Sequence, residues 1–268
     1  MARIAVAATA PFGADVLEQL TSRHEVVAVL TRPDAPRGRG RKLAPPPAKV
    51  VADSLQIPVL QPARLTSDVC IHRHHLDAVV VAAYGLLIPE ELLADPLWLN
   101  VHPSLLPRWR GAAPVERAIM AGDRETGVTI HETVKELDAG PIAAQQAFPI
   151  GENDDAGVVF GRAARLAADL VDDVLRGPVE FRPQPNDGVT YADKITAADR
   201  ELDLTRPARD VYDHVRALSP HIGARATIDG RRLTVWRTRV VDERLELLEV
   251  QPEGRRRMTY DEYVRGLR

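Results

Sequence analysis

The sequence is poor in several features that mark specialised classes of protein. Cys70 is the single cysteine, which excludes an intrachain disulfide and a cysteine-based zinc site and fits a reducing cytoplasm. No apolar run approaches the roughly 20 residues that a membrane span needs, and the short apolar start is expected to be a strand rather than a signal peptide. The net charge of −3 gives no global attraction for nucleic acid. We therefore expect a cytoplasmic globular protein with no membrane segment.

The opening of the chain has the pattern of a βαβ unit. Ile4 to Ala8 and Glu25 to Leu30 are two short apolar runs, and Val16, Leu17 and Leu20 form a helical stripe between them. This alternation predicts an α/β fold with a mostly parallel sheet. The turn after the first strand lacks G-x-G-x-x-G, so a dinucleotide is not indicated.

A proline-rich break divides the chain. Prolines cluster from residue 178 onward, and short alternating apolar segments with a hairpin signal at Asp229-Gly230 follow the break. We therefore predict a first domain over 1–182, a linker over 183–200 and a small β-rich domain over 201–268.

The segment from Asn100 to Pro107 is the first candidate site. It follows the apolar run Leu97 to Leu99, which is short enough to be a buried strand. Side chains two residues apart in an extended chain point to the same face, so Asn100 and His102 can converge on one small group. In parallel α/β sheets ligands bind beyond the carboxyl ends of the strands, where this pair is expected to lie. A capping asparagine and a loop histidine remain the simpler alternative.

A basic loop over residues 32–49 is the second candidate site. It carries six positive side chains against Asp34 alone: Arg32, Arg37, Arg39, Arg41, Lys42 and Lys49. Its prolines argue against much regular structure, and long loops of this kind in compact domains are often functional. Flexible arginine and lysine side chains can neutralise phosphates. A solvated surface loop is the alternative.

Two further groups of residues are less specific. His72, His74 and His75 lie before the predicted strand Ala78 to Ala82, which is the wrong end of such a sheet for a site, so we expect no metal there. Asp138 precedes Ala139-Gly140 in a predicted tight turn, where an aspartate often only bonds its own backbone.

Asn100, His102 and Asp138 together suit transfer of an acyl group to an amine. Such a reaction passes through a tetrahedral intermediate with an oxyanion and a nitrogen that must lose a proton. Asparagine and histidine can donate hydrogen bonds to the oxyanion, and a carboxylate can orient the imidazole and assist proton transfer. No serine or cysteine nucleophile is required.

The same residues occur in motifs that resemble a known enzyme family. The motifs are Asn100-x-His102-x-Ser104-Leu105-Leu106-Pro107, Arg108-Trp109-Arg110-Gly111-Ala112-Ala113-Pro114, Leu137-Asp138-x-Gly140 and Thr190-Tyr191-Ala192-x-Lys194-Ile195. They resemble formyltransferases that use 10-formyltetrahydrofolate. The loop Pro33 to Leu43 resembles the methionyl-tRNA formyltransferase branch of that family.

The resemblance implies a fold, a reaction and a set of site residues. The implied fold is the Rossmann-like formyltransferase fold with a C-terminal OB-like barrel, and the implied reaction is formylation of initiator methionyl-tRNA by a monomer. Asn100, His102 and Asp138 would be catalytic. The implied folate-binding residues are Phe12, Tyr84, Gly85, Leu86, Leu87, Ile88, Pro89, Ser104, Leu105, Leu106, Pro107, Leu137 and Gly140. The implied tRNA-binding residues are Arg37, Arg39, Arg41 and Lys42.

Departures from the family pattern leave alternatives open. Pro103 stands where glycine is usual, and too little chain lies between Asp242 and Leu245 for one hairpin of the barrel, so the C-terminal domain is expected to be shortened. Thr129-Ile130-His131 would also suit a formyltransferase acting on a nucleotide-linked amino sugar. A catalytically silent RNA-binding relative is the third interpretation.

Overall fold

The computed structural model describes residues 1–37, 40, 42–66 and 75–267. In chain order the elements are β1 Arg3–Ala8, α1 Pro11–Thr21, β2 Glu25–Leu30, β3 Ala35–Arg37, β4 Lys42–Ala44, α2 Pro47–Ser54, β5 Val59–Leu60, β6 Ala78–Ala82, α3 Glu90–Leu93, β7 Leu97–His102, β8 Arg110–Gly111, α4 Pro114–Met120, β9 Glu125–Glu132, β10 Ile142–Pro149, α5 Ala156–Val174, β11 Tyr191–Ala192, α6 Ala208–Ala217, β12 Ala224–Ile228, β13 Arg231–Val241, β14 Arg244–Pro252, β15 Met258–Thr259 and α7 Tyr260–Arg265. In this described part of the chain, no helix is both long and apolar enough to cross a membrane.

Contacts between residues group the chain into two units. The first contains residues 1–110, 127–147 and 161–190, and the second contains residues 111–126, 148–160 and 191–268. Neither unit is therefore continuous in sequence, because residues 111–126 and 148–160 belong to the second unit together with the C-terminal part of the chain.

The first unit is built on a seven-stranded sheet in the order β10-β9-β7-β6-β1-β2-β5. The pairs β1–β2, β1–β6, β2–β5 and β6–β7 are parallel, and β7–β9 is antiparallel. Strand β6 is buried at every position because the sheet is covered on both faces. These findings confirm the predicted α/β fold with a mostly parallel sheet.

The basic loop contains more regular structure than its prolines suggested. Strands β3 and β4 form an antiparallel hairpin in which Ala35 pairs with Ala44 and Arg37 pairs with Lys42. The prediction of an irregular loop is therefore wrong for these residues. Pro36 is tolerated because an isolated two-stranded ribbon has free edges, where a missing N–H breaks no ladder.

The second unit contains a four-stranded antiparallel sheet in the order β12-β13-β14-β15. Two-residue turns join β12 to β13 and β13 to β14, with positive φ at Asp229 and Gly230 and again at Asp242 and Glu243. Val215 of helix α6 and Leu218, which follows the helix, pack in the core of this unit. A C-terminal domain of antiparallel strands is therefore confirmed, whereas the shortened OB-like barrel and the bounds 201–268 stay predictions.

We predict that Gly13 is required by the packing of α1 on the sheet. A Cβ at this position would lie 2.2 Å from the Ala82 carbonyl oxygen and 2.8 Å from the Ala8 Cβ. Gly13→Ala should therefore lower the free energy of unfolding by about 1–3 kcal/mol, as overpacked cores do. Urea denaturation followed by circular dichroism measures this change.

Gly161 in α5 is the matched control. An added Cβ there would meet only the end of the Arg165 side chain at 3.9 Å. Gly161→Ala should raise the free energy of unfolding by about 0.5–1 kcal/mol, because alanine favours the helix over glycine. Equal effects of the two substitutions would contradict the packing argument.

Candidate active site

The structure brings Asn100, His102 and Asp138 together in the first unit. Asn100 and His102 lie at the carboxyl end of β7, and Asp138 lies in the loop between β9 and β10. Asn100 Nδ2 donates a hydrogen bond of 3.1 Å to Asp138 Oδ1. His102 Nδ1 is 3.6 Å from Asp138 Oδ2. A carboxamide, an imidazole and a carboxylate that are distant in sequence thus meet at one point.

The pairing of β7 with β9 explains how these residues meet. Asn100 pairs with His131 and His102 pairs with Thr129, so these four side chains share one face of the sheet. The loop that follows β9 returns over this face and turns at Asp138, whose φ is +47°. Gly140 permits the return, since a Cβ there would lie 1.9 Å from the Glu132 carbonyl oxygen.

His131 is a site residue that the sequence analysis did not place in the catalytic group. It is buried, and its Nε2 lies 3.1 Å from Asn100 Nδ2 while its Nδ1 lies 2.8 Å from the Glu132 carbonyl oxygen. A carbonyl can only accept, so Nδ1 carries the proton and Nε2 accepts from Asn100. Alternation along β9 puts His131 on the face of Thr129, but its position opposite Asn100 required knowledge of the strand pairing.

His102 is held by a backbone carbonyl on one side and faces Asp138 on the other. Its Nε2 donates a hydrogen bond of 2.8 Å to the Trp109 carbonyl oxygen. Burial lowers the pKa of His102 below its ordinary value, against the opposing effects of Asp138 and of the bond to Trp109. The imidazole is therefore neutral at pH 7 and presents an unprotonated Nδ1 to the carboxylate.

Ser104 forms hydrogen bonds that hold the segment after β7. It is fully buried, and its hydroxyl donates to the Arg108 carbonyl oxygen at 2.7 Å. The Ser104 carbonyl oxygen in turn accepts from Thr129 Oγ1 at 2.7 Å. The implied folate contact of Ser104 stays a prediction, and the side chain is bonded to the backbone in this structure.

The other residues that the resemblance assigned to folate differ in accessibility. The side chains of Phe12, Tyr84 and Leu106 are buried, and Gly140 is buried beneath the Asp138 loop. The exposed or half-buried members are Gly85, Leu86, Leu87, Ile88, Pro89, Leu105, Pro107 and Leu137. The Tyr84 side chain packs in the core of the first unit, so only the backbone of this residue is placed to meet a ligand.

The residues expected to contact tRNA are described only in part. Arg37 lies in β3 and Lys42 lies in β4, where it is exposed. Arg39 and Arg41 lie outside the described residues, as do Cys70, His72 and His74.

Several arginines of the second unit pair with glutamates. Arg237 Nη1 lies 3.2 Å from Glu249 Oε1, and Arg239 Nε lies 2.6 Å from Glu246 Oε2. Both are cross-strand pairs between β13 and β14, and Arg232 pairs with Glu201. These pairs offset part of the positive charge that the arginines contribute.

Two family models match the sequence. The model described as formyl transferase matches residues 2–175, and the model described as formyl transferase, C-terminal domain, matches residues 194–246. The first model alone covers more than half of the chain and contains Asn100, His102 and Asp138.

Named relatives and solved structures agree with these models. The methionyl-tRNA formyltransferase of Xanthomonas axonopodis pv. citri is 44% identical over 263 residues, which cover 94% of this chain and 84% of that protein. A crystal structure of methionyl-tRNA formyltransferase from Clostridium thermocellum shares the fold with a TM-score of 0.70 at 15% identity, over 94% of this chain and 99% of that one. An N-formyltransferase from Helicobacter canadensis, solved with folinic acid and dTDP-3-aminofucose, has a TM-score of 0.68 at 19% identity, over 91% of this chain and 89% of that one. The chain belongs to the formyl transferase family and, within it, to the methionyl-tRNA formyltransferases.

Proposed function

We propose that this protein transfers the formyl group of 10-formyltetrahydrofolate to the amino group of methionyl-tRNA, with Asn100, His102 and Asp138 as its catalytic residues. The convergence of these three side chains at the carboxyl end of β7 carries the proposal. The family to which the chain belongs indicates the formyl donor and the amine acceptor, and the geometry of the site indicates the role of each side chain. We further propose that the protein acts as a monomer in the cytoplasm.

The segment from Tyr84 to Pro89 suits a flat, polar ring. Residues 84–88 lie outside the helices and strands, and no backbone–backbone hydrogen bond engages them among the described residues. Free backbone donors and acceptors beside half-buried Leu86 and Ile88 match the hydrogen-bonding edge and apolar faces of a pterin. When bound there, the folate supplies an activated formyl group.

The unprotonated Nδ1 of the His102 imidazole is the base in this proposal. Attack of the methionyl amine on the formyl carbon forms a C–N bond and leaves the nitrogen positively charged. His102 Nδ1 can take the proton from that nitrogen because its Nε2 proton is committed to the Trp109 carbonyl. The imidazolium that results is stabilised by the Asp138 carboxylate at 3.6 Å.

Asn100 stabilises the oxyanion. Its two amide protons face Asp138 Oδ1 and His131 Nε2, each at a nitrogen–acceptor distance of 3.1 Å. The formyl oxygen gains negative charge during attack and becomes a stronger acceptor than the neutral imidazole of His131, so it can take over that proton. Collapse of the oxyanion then breaks the bond to the folate nitrogen, which recovers a proton from His102.

Loss of either ionisable side chain should impair the reaction strongly. We expect His102→Ala and Asp138→Ala to lower kcat for formyl transfer by about 10²–10⁴-fold, the usual contribution of a general acid or base. The assay mixes the protein with the folate donor and charged initiator tRNA and quantifies formylmethionine. His221→Ala and Asp187→Ala, at exposed positions, are controls that keep the wild-type rate. Near-normal rates for the two site variants would refute the mechanism.

The pH dependence follows from the lowered pKa of His102. Because the base form persists below the ordinary pKa of 6.5, kcat should remain constant near neutral pH and fall only as the pH drops below 6.5. Asp138→Asn should lower the pKa of His102 further, since it removes the negative charge that raises it. Nuclear magnetic resonance titration of the imidazole measures both values. A pKa of His102 above 6.5 in the wild-type protein would contradict this account.

The salt dependence of binding tests the tRNA acceptor. We expect tRNA affinity to fall steeply with salt and Lys42→Ala to reduce the slope by about 1, because one fewer phosphate is neutralised. Lys49→Ala is the matched control, since the Lys49 ammonium is already paired with Asp34 at 3.0 Å. Transfer to a nucleotide-linked amino sugar with no salt-dependent tRNA binding would favour the sugar branch instead.

A further inference from the structure

We propose that Gln184 is a positioning residue that, together with Arg110, holds the Asp138 turn against His102. Gln184 lies in the segment that the sequence analysis assigned to a linker. The inference rests on the proposed function, because its activity measurement is an assay of formyl transfer. The contacts from which the inference is argued do not depend on the identity of the substrate.

The Gln184 carboxamide donates two hydrogen bonds to the backbone of the Asp138 turn. Its Nε2 donates to the carbonyl oxygens of Asp138 and Gly140 at 2.7 and 2.8 Å. The first of these bonds is to Asp138 itself, whose φ is +47°. An aspartate in the left-handed region is held there by its surroundings, because the conformation is unfavourable by itself.

Arg110 fixes the other end of the same carboxamide. Arg110 Nη2 and Nε donate to Gln184 Oε1 at 2.6 and 3.2 Å. Carbonyls and a carboxamide oxygen only accept, and a guanidinium only donates, so the orientation of the Gln184 amide is unique. Both donors and both acceptor sites of Gln184 are used.

Backbone pairing delivers Gln184 to this position. Ile142 and Arg182 form an antiparallel bridge with N–O distances of 2.7 and 2.9 Å. Because the pairing is antiparallel, Gln184, two residues after Arg182, lies opposite Gly140, two residues before Ile142. The segment that leaves the first unit is thus paired alongside the loop that carries Asp138.

These contacts close a ring around the catalytic pair. His102 donates a hydrogen bond to the Trp109 carbonyl, and the next residue, Arg110, donates to the Gln184 side chain. Gln184 in turn donates to the Asp138 carbonyl. The ring is completed by the 3.6 Å approach of Asp138 Oδ2 to His102 Nδ1. Release of Gln184 would free the Asp138 turn while leaving the catalytic side chains themselves unchanged.

The first measurement compares Gln184→Ala with Asn186→Ala, which removes an exposed carboxamide from the same segment. We expect Gln184→Ala to lower kcat by about 10²-fold, the effect of a misplacement of roughly 1 Å, with both KM values nearly unchanged. Asn186→Ala should retain the wild-type kcat. Arg110→Ala combined with Gln184→Ala should lose little more than Gln184→Ala alone, because both act through one contact.

The second measurement separates positioning from a general loss of folded protein. In Gln184→Ala the pKa of His102 should fall below its wild-type value in a nuclear magnetic resonance titration, because the Asp138 charge moves away. Gln184→Glu keeps the size and the Arg110 pairing but turns carboxylate oxygens, which cannot donate, toward two carbonyls, so it should not restore kcat. Rescue by Gln184→Glu would indicate a structural role and overturn the inference.

The outcomes also distinguish this inference from the proposed function. An unchanged His102 titration in Gln184→Ala overturns the inference, whether or not kcat falls. If the wild-type protein transfers no formyl group, the proposed function fails, and the titration still decides the role of Gln184.

Discussion

The antiparallel pairing of β7 with β9 is the constraint on which the candidate site depends. The neighbouring strands of the sheet run parallel, and this pair reverses the direction. The reversal places His131 beside Asn100 and sends the following loop back over the same face. A one-residue slip in register would turn His131 away from Asn100. The site is therefore specified by strand pairing as much as by the side chains that perform the chemistry.

Backbone groups define the state of the catalytic side chains. The Trp109 carbonyl fixes the tautomer of His102, and the Glu132 carbonyl fixes that of His131. Burial keeps His102 neutral, which leaves one nitrogen free to accept a proton. Preorganisation of this kind lowers the reorganisation that accompanies charge development in the transition state. A backbone carbonyl thus determines which nitrogen of each imidazole carries the proton. The sequence alone does not show which carbonyl this is.

Much of the fold and part of the site could be predicted from the sequence. The alternation of apolar runs and helical stripes revealed the α/β unit, and residue spacing revealed that Asn100 and His102 share a face. Asp138 was associated with them through the resemblance and through chemical reasoning, because nothing local distinguishes it from an ordinary turn aspartate. The bond from the Ser104 hydroxyl to the Arg108 carbonyl was not predicted, since a hydroxyl in a site motif does not show which backbone group it meets.

The remaining features depend on contacts that no local pattern encodes. Gln184 lies more than forty residues from Asp138, and its role follows from the Ile142–Arg182 bridge. The β3–β4 hairpin was missed because prolines and charges outweighed a weak pairing signal in the basic loop. Cross-strand glutamates, not visible in a count of arginines, neutralise much of the charge on β13.

The most direct test of the central claim is a crystal structure of the protein with a formyl-bearing folate analogue. We predict that the formyl oxygen lies about 3 Å from Asn100 Nδ2, within ordinary hydrogen-bonding distance, and that the formyl carbon faces His102 Nδ1 and Asp138. A bound analogue whose formyl group lies away from all three side chains would contradict the account.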